Sequence, residues 1–378
     1  MLRVFEAFAG YGSQRMALRN IGIPHEVVGI SEIVEDAILA YASIHTDFLK
    51  YRNSFKCEKS RTEQIEHLEA INVPLDYKTF KNRAKYLNSE KLNNVYLANI
   101  LSKNYGDITK INPQELPDFD LFTYSFPCQD ISVAGYQKGL DIHSETRSSL
   151  LWECCKIIET KRPRYLMMEN VKNLIGTNHR KNFHRFLKYL ESLGYTNRWD
   201  VLNARDFGIP QNRERVFCIS SLEEDFNFKF PLPQTLKIKL QDILEDHVNK
   251  SYYLKENFSL ESPIQQKVSY CIDSNYWKGS TLESFLTKHR RQLVTDGRKL
   301  DNGNFLVRRL TQRETWRLMG CTDCDFDKAS SVVSKTNLYK LAGNSIVVSV
   351  LEAIFKNLFL EDSYKLEDVK KNHQFTLF

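Results

Sequence analysis

One cysteine of this chain stands where a thiol could do chemistry. Cys128 follows Ser125-Phe126-Pro127 and precedes Gln129, at the start of a polar stretch that contains Gly135 and Gly139. The apolar run 119–126 reads as a buried strand ended by Pro127, which puts the thiol beyond a strand's carboxyl end. Open α/β sheets bind their ligands there. A free cysteine is also a common small core residue, and position alone leaves the two readings level. Glu169-Asn170-Val171 shifts the balance, because it closes another apolar run, 165–168, and would stand at the same sheet edge. A carboxyl group in that place can donate a proton to a ring nitrogen while the thiol serves as nucleophile.

Other residues belong to the same edge. Gln211-Asn212-Arg213-Glu214-Arg215 leads into an apolar run at Val216, and alternate spacing aims both arginines at one face. A solvated charge run and an inward-reaching arginine both fit. Phe8-Ala9-Gly10-Tyr11-Gly12-Ser13 joins a strand to a helix, the setting of a nucleotide loop, but lacks the third glycine of a dinucleotide site. Glu32, about twenty residues further on, either accepts from ribose hydroxyls or is an acid favoured at a helix start. Asp107, after Tyr105-Gly106, either meets an adenine amino group or caps a turn.

Positioning these groups requires a regular frame. Runs 3–7, 26–30, 120–126, 165–169 and 216–220 read as strands, and 13–20, 34–44, 182–193 and 346–359 as helices. The alternation predicts an α/β fold, a doubly wound, mostly parallel sheet with helices on both faces. Residues 47–103 break the rhythm and read as a helical insertion within a first domain, 1–220. Residues 221–305 are irregular, rich in charged and aromatic side chains, and read as a second, smaller domain. The α/β style returns over 306–360, and 361–378 is a C-terminal tail.

The 378 residues give room for two domains, and a hydrophobic share of 42% supports a sizeable core. The formal net charge of +6 permits a polyanionic partner without demanding one. Eight cysteines lie without paired spacing, so reduced thiols are expected. Cys321-Thr322-Asp323-Cys324 is a lone pair with no second pair or nearby histidine, which argues against zinc; no metal is expected. No signal-peptide core opens the chain and no apolar stretch approaches about 18 residues, so a soluble, cytoplasmic protein without membrane contact is expected.

Taken in order, these motifs resemble those of the cytosine-5 DNA methyltransferases, in the compact form of bacteria and their phages. The resemblance rests on 5–13, Glu32, Gly106-Asp107-Ile108, Pro127-Cys128-Gln129, Thr146-Arg147-Ser148, Glu169-Asn170-Val171, 211–215, 308–314 and Leu341-Ala342-Gly343-Asn344-Ser345. It covers roughly 1–46, 104–220 and 306–360. The resemblance implies a class I methyltransferase-like sheet and a target-recognition domain at 221–305. It implies S-adenosylmethionine as cofactor, with Phe8, Ala9, Gly10, Gly12, Glu32, Asp107, Ile108, Pro127, Asn344 and Ser345 around it.

For the reaction, the resemblance implies that Cys128 adds to carbon 6 of cytosine while Glu169 holds ring nitrogen 3 and the amino group. Arg215 would hold the carbonyl oxygen, and Arg213, nearer the thiol, would favour the thiolate. The target base is flipped out of double-stranded DNA, and the loop 129–147 closes over it. DNA contacts are expected from Gln129, Ser132, Arg147, Gln211, Thr281, Arg290 and Arg291. Ala134 departs from a serine found in some relatives, which leaves open what fills the vacated stack. A monomer and a cognate restriction endonuclease as genetic partner are further implications.

Other classes fit less well. A nicotinamide enzyme would show the third glycine and has no use for Cys128 with Glu169. A thiol hydrolase needs a histidine base, and none of the nine histidines sits in a recognisable motif. A DNA-binding relative without catalysis would not need Cys128, Glu169 and Arg215 together.

Overall fold

The computed structural model describes residues 1–55, 57–76, 79, 81–127 and 150–360. Two compact units divide it: residues 1–202, 214–232 and the chain from Leu351 form the first, and 203–213 with 233–350 form the second. Compactness therefore groups 306–350 with 233–305.

The first unit is built on six strands: β1 (Leu2–Ala7), β2 (His25–Ser31), β3 (Leu121–Tyr124), β4 (Tyr165–Val171), β5 (Thr196–Asn203) and β6 (Glu214–Ser221). Their order is β2-β1-β3-β4-β6-β5. β1 pairs in parallel with β2 and β3, β3 pairs in parallel with β4, and β6 runs antiparallel to β4. The sheet is thus mixed and mostly parallel, as the alternation predicts. Strands covered on both faces read as continuous apolar runs, which is why β1, β3, β4 and β6 are legible. β5 is a polar edge strand exposing Arg198, Trp199 and Asp200, the charged composition that protects an edge.

Helices of this unit are α1 (Ser13–Asn20), α2 (Glu35–His45), α3 (Phe48–Tyr51), α4 (Arg61–Ala70), α5 (Ser89–Leu101), α6 (Leu150–Lys161) and α7 (Arg180–Ser192). One face of the sheet packs Phe5, Phe122, Tyr124 and Met168 against Cys154 and Ile158 of α6 and Phe186 and Leu190 of α7. Stacking within this core sets Phe122 and Tyr124 4.9 Å apart between ring centroids. The opposite face carries Glu6, whose carboxylate accepts from Tyr41 Oη of α2 at 2.6 Å. The insertion 47–103 carries the helices α3, α4 and α5, and the residues after it bridge to β2 through Asn104 and Ile30.

The second unit contains α8 (Leu282–Leu286), α9 (Gln312–Arg317), α10 (Asp323–Ser330) and α11 (Lys335–Asn344), with a two-stranded ladder of β7 (Leu293–Val294) and β8 (Arg308–Arg309). A small core of Phe285, Leu293 and Val307 takes in Tyr270. Arg308 is fully buried and fixed by charge: its guanidinium meets Glu314 Oε1 at 2.8 Å and Asp296 Oδ2 at 3.1 Å. Glu314 also closes the capping box of α9 with Thr311.

A last helix, α12 (Val348–Phe359), carries the chain into the first unit, where Phe359 meets the Tyr165 ring edge-on at 5.4 Å. Among the described residues, Lys335–Phe359 is the one stretch long and apolar enough to cross a membrane, and 67% of its apolar window is buried within the protein.

Candidate active site

The carboxyl ends of β1 and β2 are stitched together by a glycine loop. Phe8 N donates to Ser31 O at 2.7 Å, and Gly10 N donates to Glu32 Oε2 at 2.8 Å. Phe8 holds φ at +55°, a left-handed conformation that costs a non-glycine residue free energy and clusters at functional sites. Gly12 must be glycine twice over: its φ is +84°, and a Cβ there would overlap His45 and Tyr41 of α2. His45, kept neutral by burial, donates from Nε2 to Tyr11 O at 3.0 Å and so fixes the loop from below. Among the described residues an added Cβ at Gly10 would meet nothing within 4 Å, so the loop's backbone stands clear of them there.

Glu32 is 92% buried by its 8% exposure, yet its carboxylate has three backbone donors: Gly10 N, Ile33 N at 2.8 Å and Val34 N at 2.9 Å. Burial pushes its pKa up, against those donors, which favour the charged form. Glu32 therefore serves as the acid ahead of α2. It receives the N–H groups ahead of α2, and the remaining acceptor capacity of Oε2 lies beside Gly10. Asp107, half-buried, takes Thr109 N at 3.0 Å and Thr109 Oγ1 at 2.9 Å on Oδ1, and Asn72 Nδ2 at 2.8 Å on Oδ2. It too is a cap with acceptor capacity to spare. Ile108 beside it is buried.

At the ends of β3 and β4 a second cluster forms. Glu169, 5% exposed, accepts from Ser125 Oγ and pairs with Arg215 Nε at 3.2 Å. Register explains the pair: Val171 lies opposite Arg215, and Glu169 shares the face of Val171 two residues back. Asn170 Nδ2 donates to Phe126 O at 3.0 Å and ties the two strand ends together immediately before Pro127. A buried carboxylate oriented by a hydroxyl and a guanidinium can grip the polar edge of a heterocycle or exchange a proton with it. Cys128, Gln129, Ser132, Ala134 and Arg147 lie outside the described residues.

Ser125 has no role in the sequence reading. The signal was its place three residues before Cys128 at a strand end.

The two arginines of 211–215 differ. Arg215 belongs to the Glu169 cluster. Arg213, 3% exposed, donates to Ile272 O at 2.8 Å, Gly343 O at 3.0 Å and Ser345 O at 2.6 Å, all within the second unit. Those contacts correct the expectation that alternate spacing gives Arg213 and Arg215 the same surroundings; the thiol that Arg213 was expected to favour lies outside the described residues. Gln211 is corrected likewise: fully buried, it donates to Leu318 O at 2.7 Å and accepts from Ile272 N at 2.9 Å, so its amide is not offered to DNA.

Asn344 at the end of α11 is exposed and Ser345 half-buried. Thr281 caps α8 by accepting from Ser284 N. Arg290 is exposed, while Arg291 donates to Gly279 O at 2.7 Å. Of the aromatics at 270–277, Tyr276 is buried, Tyr270 packs on Phe285, and Trp277 stays 38% exposed.

An open α/β sheet with a glycine loop after its first strand and an acid after its second is the frame of the nucleotide-cofactor enzymes. Dnmt2 of S. pombe shares the fold, with a TM-score of 0.60 at 18% identity over 94% of this chain and 97% of that one. Within the class, sequence fixes the branch. The chain belongs to the C-5 cytosine-specific DNA methylases, whose family model matches residues 63–360. The type II methyltransferase M2.ScrFI of Lactococcus lactis subsp. cremoris is 62% identical, covering 95% of this chain and 99% of the relative. The orphan methyltransferase M.SssI of Spiroplasma monobiae is 33% identical over 94% and 97%. The activity is accordingly that of a DNA (cytosine-5-)-methyltransferase.

Proposed function

We propose that the enzyme methylates carbon 5 of a cytosine flipped out of duplex DNA, with Cys128 as nucleophile. Cytosine is a poor nucleophile at carbon 5, and addition of the Cys128 thiolate to carbon 6 makes it electron-rich. Glu169 holds ring nitrogen 3 and the amino group, stabilising the charge that develops as the thiolate adds. Ser125 and Arg215 orient Glu169, and Arg215 also reaches the carbonyl oxygen. S-adenosylmethionine supplies the methyl group. Loss of the carbon 5 proton then restores the ring and expels Cys128. The carrying observation is the cluster of half-buried Ser125 and Arg215 on the buried Glu169, at the strand ends that lead into Pro127 and Cys128.

The cofactor assignment is supported by the open backbone at Gly10, the spare acceptor of Glu32 for ribose hydroxyls and that of Asp107 for the adenine amino group. Phe8, Ala9, Gly12, Ile108, Pro127, Asn344 and Ser345 complete the set by family resemblance. We assign 1–220 and 306–360 to catalysis, 221–305 to target recognition, and Thr281, Arg290 and Arg291 to DNA contacts with Gln129, Ser132 and Arg147. Arg213 and Gln211 become framework residues. The name of M2.ScrFI supports a restriction-modification role with a partner endonuclease, and the substrates put the work in the cytoplasm.

Transfer of labelled methyl to DNA tests the reading. Cys128→Ala should fall below about one thousandth of the wild-type rate, roughly 4 kcal/mol of barrier, while specific DNA binding persists. Glu169→Gln should lose about 10²-fold to 10⁴-fold with unchanged cofactor affinity. A Cys128→Ala enzyme that still turns over would remove the thiol from the mechanism.

A further inference from the structure

Residues 47–103 supply none of the groups assigned to catalysis or the cofactor, yet their hydrogen bonds run to the Asp107 carboxylate and, through Asn104, to the backbone of Glu32. The first route starts where α4 ends. Ile71 O accepts from Asp107 N at 2.9 Å, and Asn72 Nδ2 donates to Asp107 Oδ2 at 2.8 Å. The approach is close enough that a Cβ on Gly106 would overlap Ile71 O. Asn72 itself sits at φ +57°, a left-handed conformation that asparagine tolerates better than most residues. The turn that follows is pinned to the other carboxylate's neighbour, since Leu75 N donates to Ile33 O at 3.0 Å. Asn82 holds that turn from within, donating to Val73 O at 3.1 Å.

The second route leaves α5. Asn99, 2% exposed, accepts from Asn104 Nδ2 at 2.8 Å and donates to Asn104 O at 3.3 Å. Asn104 then grips Glu32 on both sides of its peptide: Oδ1 accepts from Glu32 N at 3.0 Å, and Nδ2 also reaches Glu32 O at 2.9 Å. The same Oδ1 accepts from Gly106 N at 3.0 Å, which joins the two routes beside Asp107. An insertion that merely decorated the surface, or that served DNA alone, would have no reason to spend buried amides on these two segments.

We propose that the insertion is a brace for the cofactor site, in which Asn72 is a positioning residue for Asp107 and Asn99 acts on Glu32 through Asn104. The inference rests on the reading of Asp107 as the adenine acceptor and Glu32 as the ribose acceptor. Thr109 occupies Oδ1 of Asp107 twice, so the orientation of Oδ2 depends on Asn72. Without that donor the carboxylate swings, and the adenine amino group loses a fixed partner.

Equilibrium binding of S-adenosylhomocysteine to the full-length protein, measured calorimetrically without DNA, tests the brace. Asn72→Gly keeps the left-handed backbone and removes the donor; it should weaken binding by about fivefold or more. Asn72→Asp sets a second acceptor against Asp107 and should weaken it by about twentyfold or more. S-inosylhomocysteine, which carries a carbonyl in place of the amino group, should bind the wild type less well, and Asn72→Gly should shrink that preference. In an Asp107→Ala background, Asn72→Gly should add less than about a twofold loss, because there is no carboxylate left to position.

If Asp107→Ala weakens binding but both Asn72 variants stay within about twofold of wild type, the brace is wrong and the adenine reading survives. If Asn72→Gly costs as much in the Asp107→Ala background, Asn72 is only structural and the proposal is overturned. If Asp107→Ala leaves affinity and analogue preference unchanged, the adenine reading itself fails and takes the proposal with it.

Discussion

Two carboxylates of similar burial do different work here because their partners differ. Glu32 collects three backbone N–H groups and is held as part of a turn, whereas Glu169 collects one hydroxyl and one guanidinium and keeps its face toward the end of the sheet. Ser125 is therefore the most informative residue not yet assigned a role by sequence. Ser125→Ala should cut the single-turnover methyl-transfer rate by about tenfold, the worth of one charge-assisted hydrogen bond, with little change in cofactor affinity. A rate equal to wild type would reduce Ser125 to a strand-end residue. Cys128 lies outside the described residues, while the pairing of Glu169 with Arg215 at one strand end was legible from type and spacing. Arg213 was not, since alternation predicts a shared face but cannot foresee that three backbone carbonyls of the second unit claim one guanidinium. Gln211 fails for the same reason.

At the level of elements, β1 carries an unusual burden. Glu6 is fully buried on the face that meets α2, and desolvation raises its pKa to about 7 despite the Tyr41 hydrogen bond and the nearby Arg15 charge, both of which lower it. A carboxyl group whose folded pKa lies above its unfolded value binds its proton more tightly when folded. Stability is then greatest below the unfolded pKa and falls as pH rises toward about 7. Glu6→Gln keeps an acceptor for Tyr41 and removes the titration. Relative to wild type, it should gain up to about 3 kcal/mol of stability between pH 4.5 and 8, read from urea denaturation at the two ends. A difference that is flat or reversed with pH would contradict the burial argument. Strands and helices around this site were readable because apolar runs and 3.6-residue stripes write themselves into sequence. Helix 13–20 is found at Ser13–Asn20. β5 was missed because an exposed edge strand has no apolar run, and α6 because its stripe of Leu151, Cys154, Cys155 and Ile158 mixes thiols with aliphatics.

For the molecule as a whole, the question is which residues choose the target. Compact packing joins 233–305 to 306–350: Asp296 pairs with Arg308, Val294 ladders with Arg308, and Tyr276 accepts from Leu310 N at 2.9 Å. An exchange of 221–305 with a relative of different target should therefore keep an acid at the place of Asp296, the second partner of the buried Arg308 beside Glu314. With that acid kept, the chimera should methylate the donor's motif at a comparable rate, as read by bisulfite sequencing of plasmid from expressing cells. An active chimera that keeps the original motif would move the reading determinants outside 221–305.

The covalent step is the centre of the proposed mechanism, and 5-fluorocytosine interrogates it directly. Fluorine at carbon 5 replaces the proton whose loss expels Cys128, so an enzyme that has added its thiol and delivered its methyl group cannot release the base. With duplex DNA carrying 5-fluorocytosine at the mapped target, denaturing gels should show a protein–DNA adduct that requires S-adenosylmethionine and vanishes in Cys128→Ala. A preparation active on ordinary cytosine that forms no such adduct would contradict the mechanism.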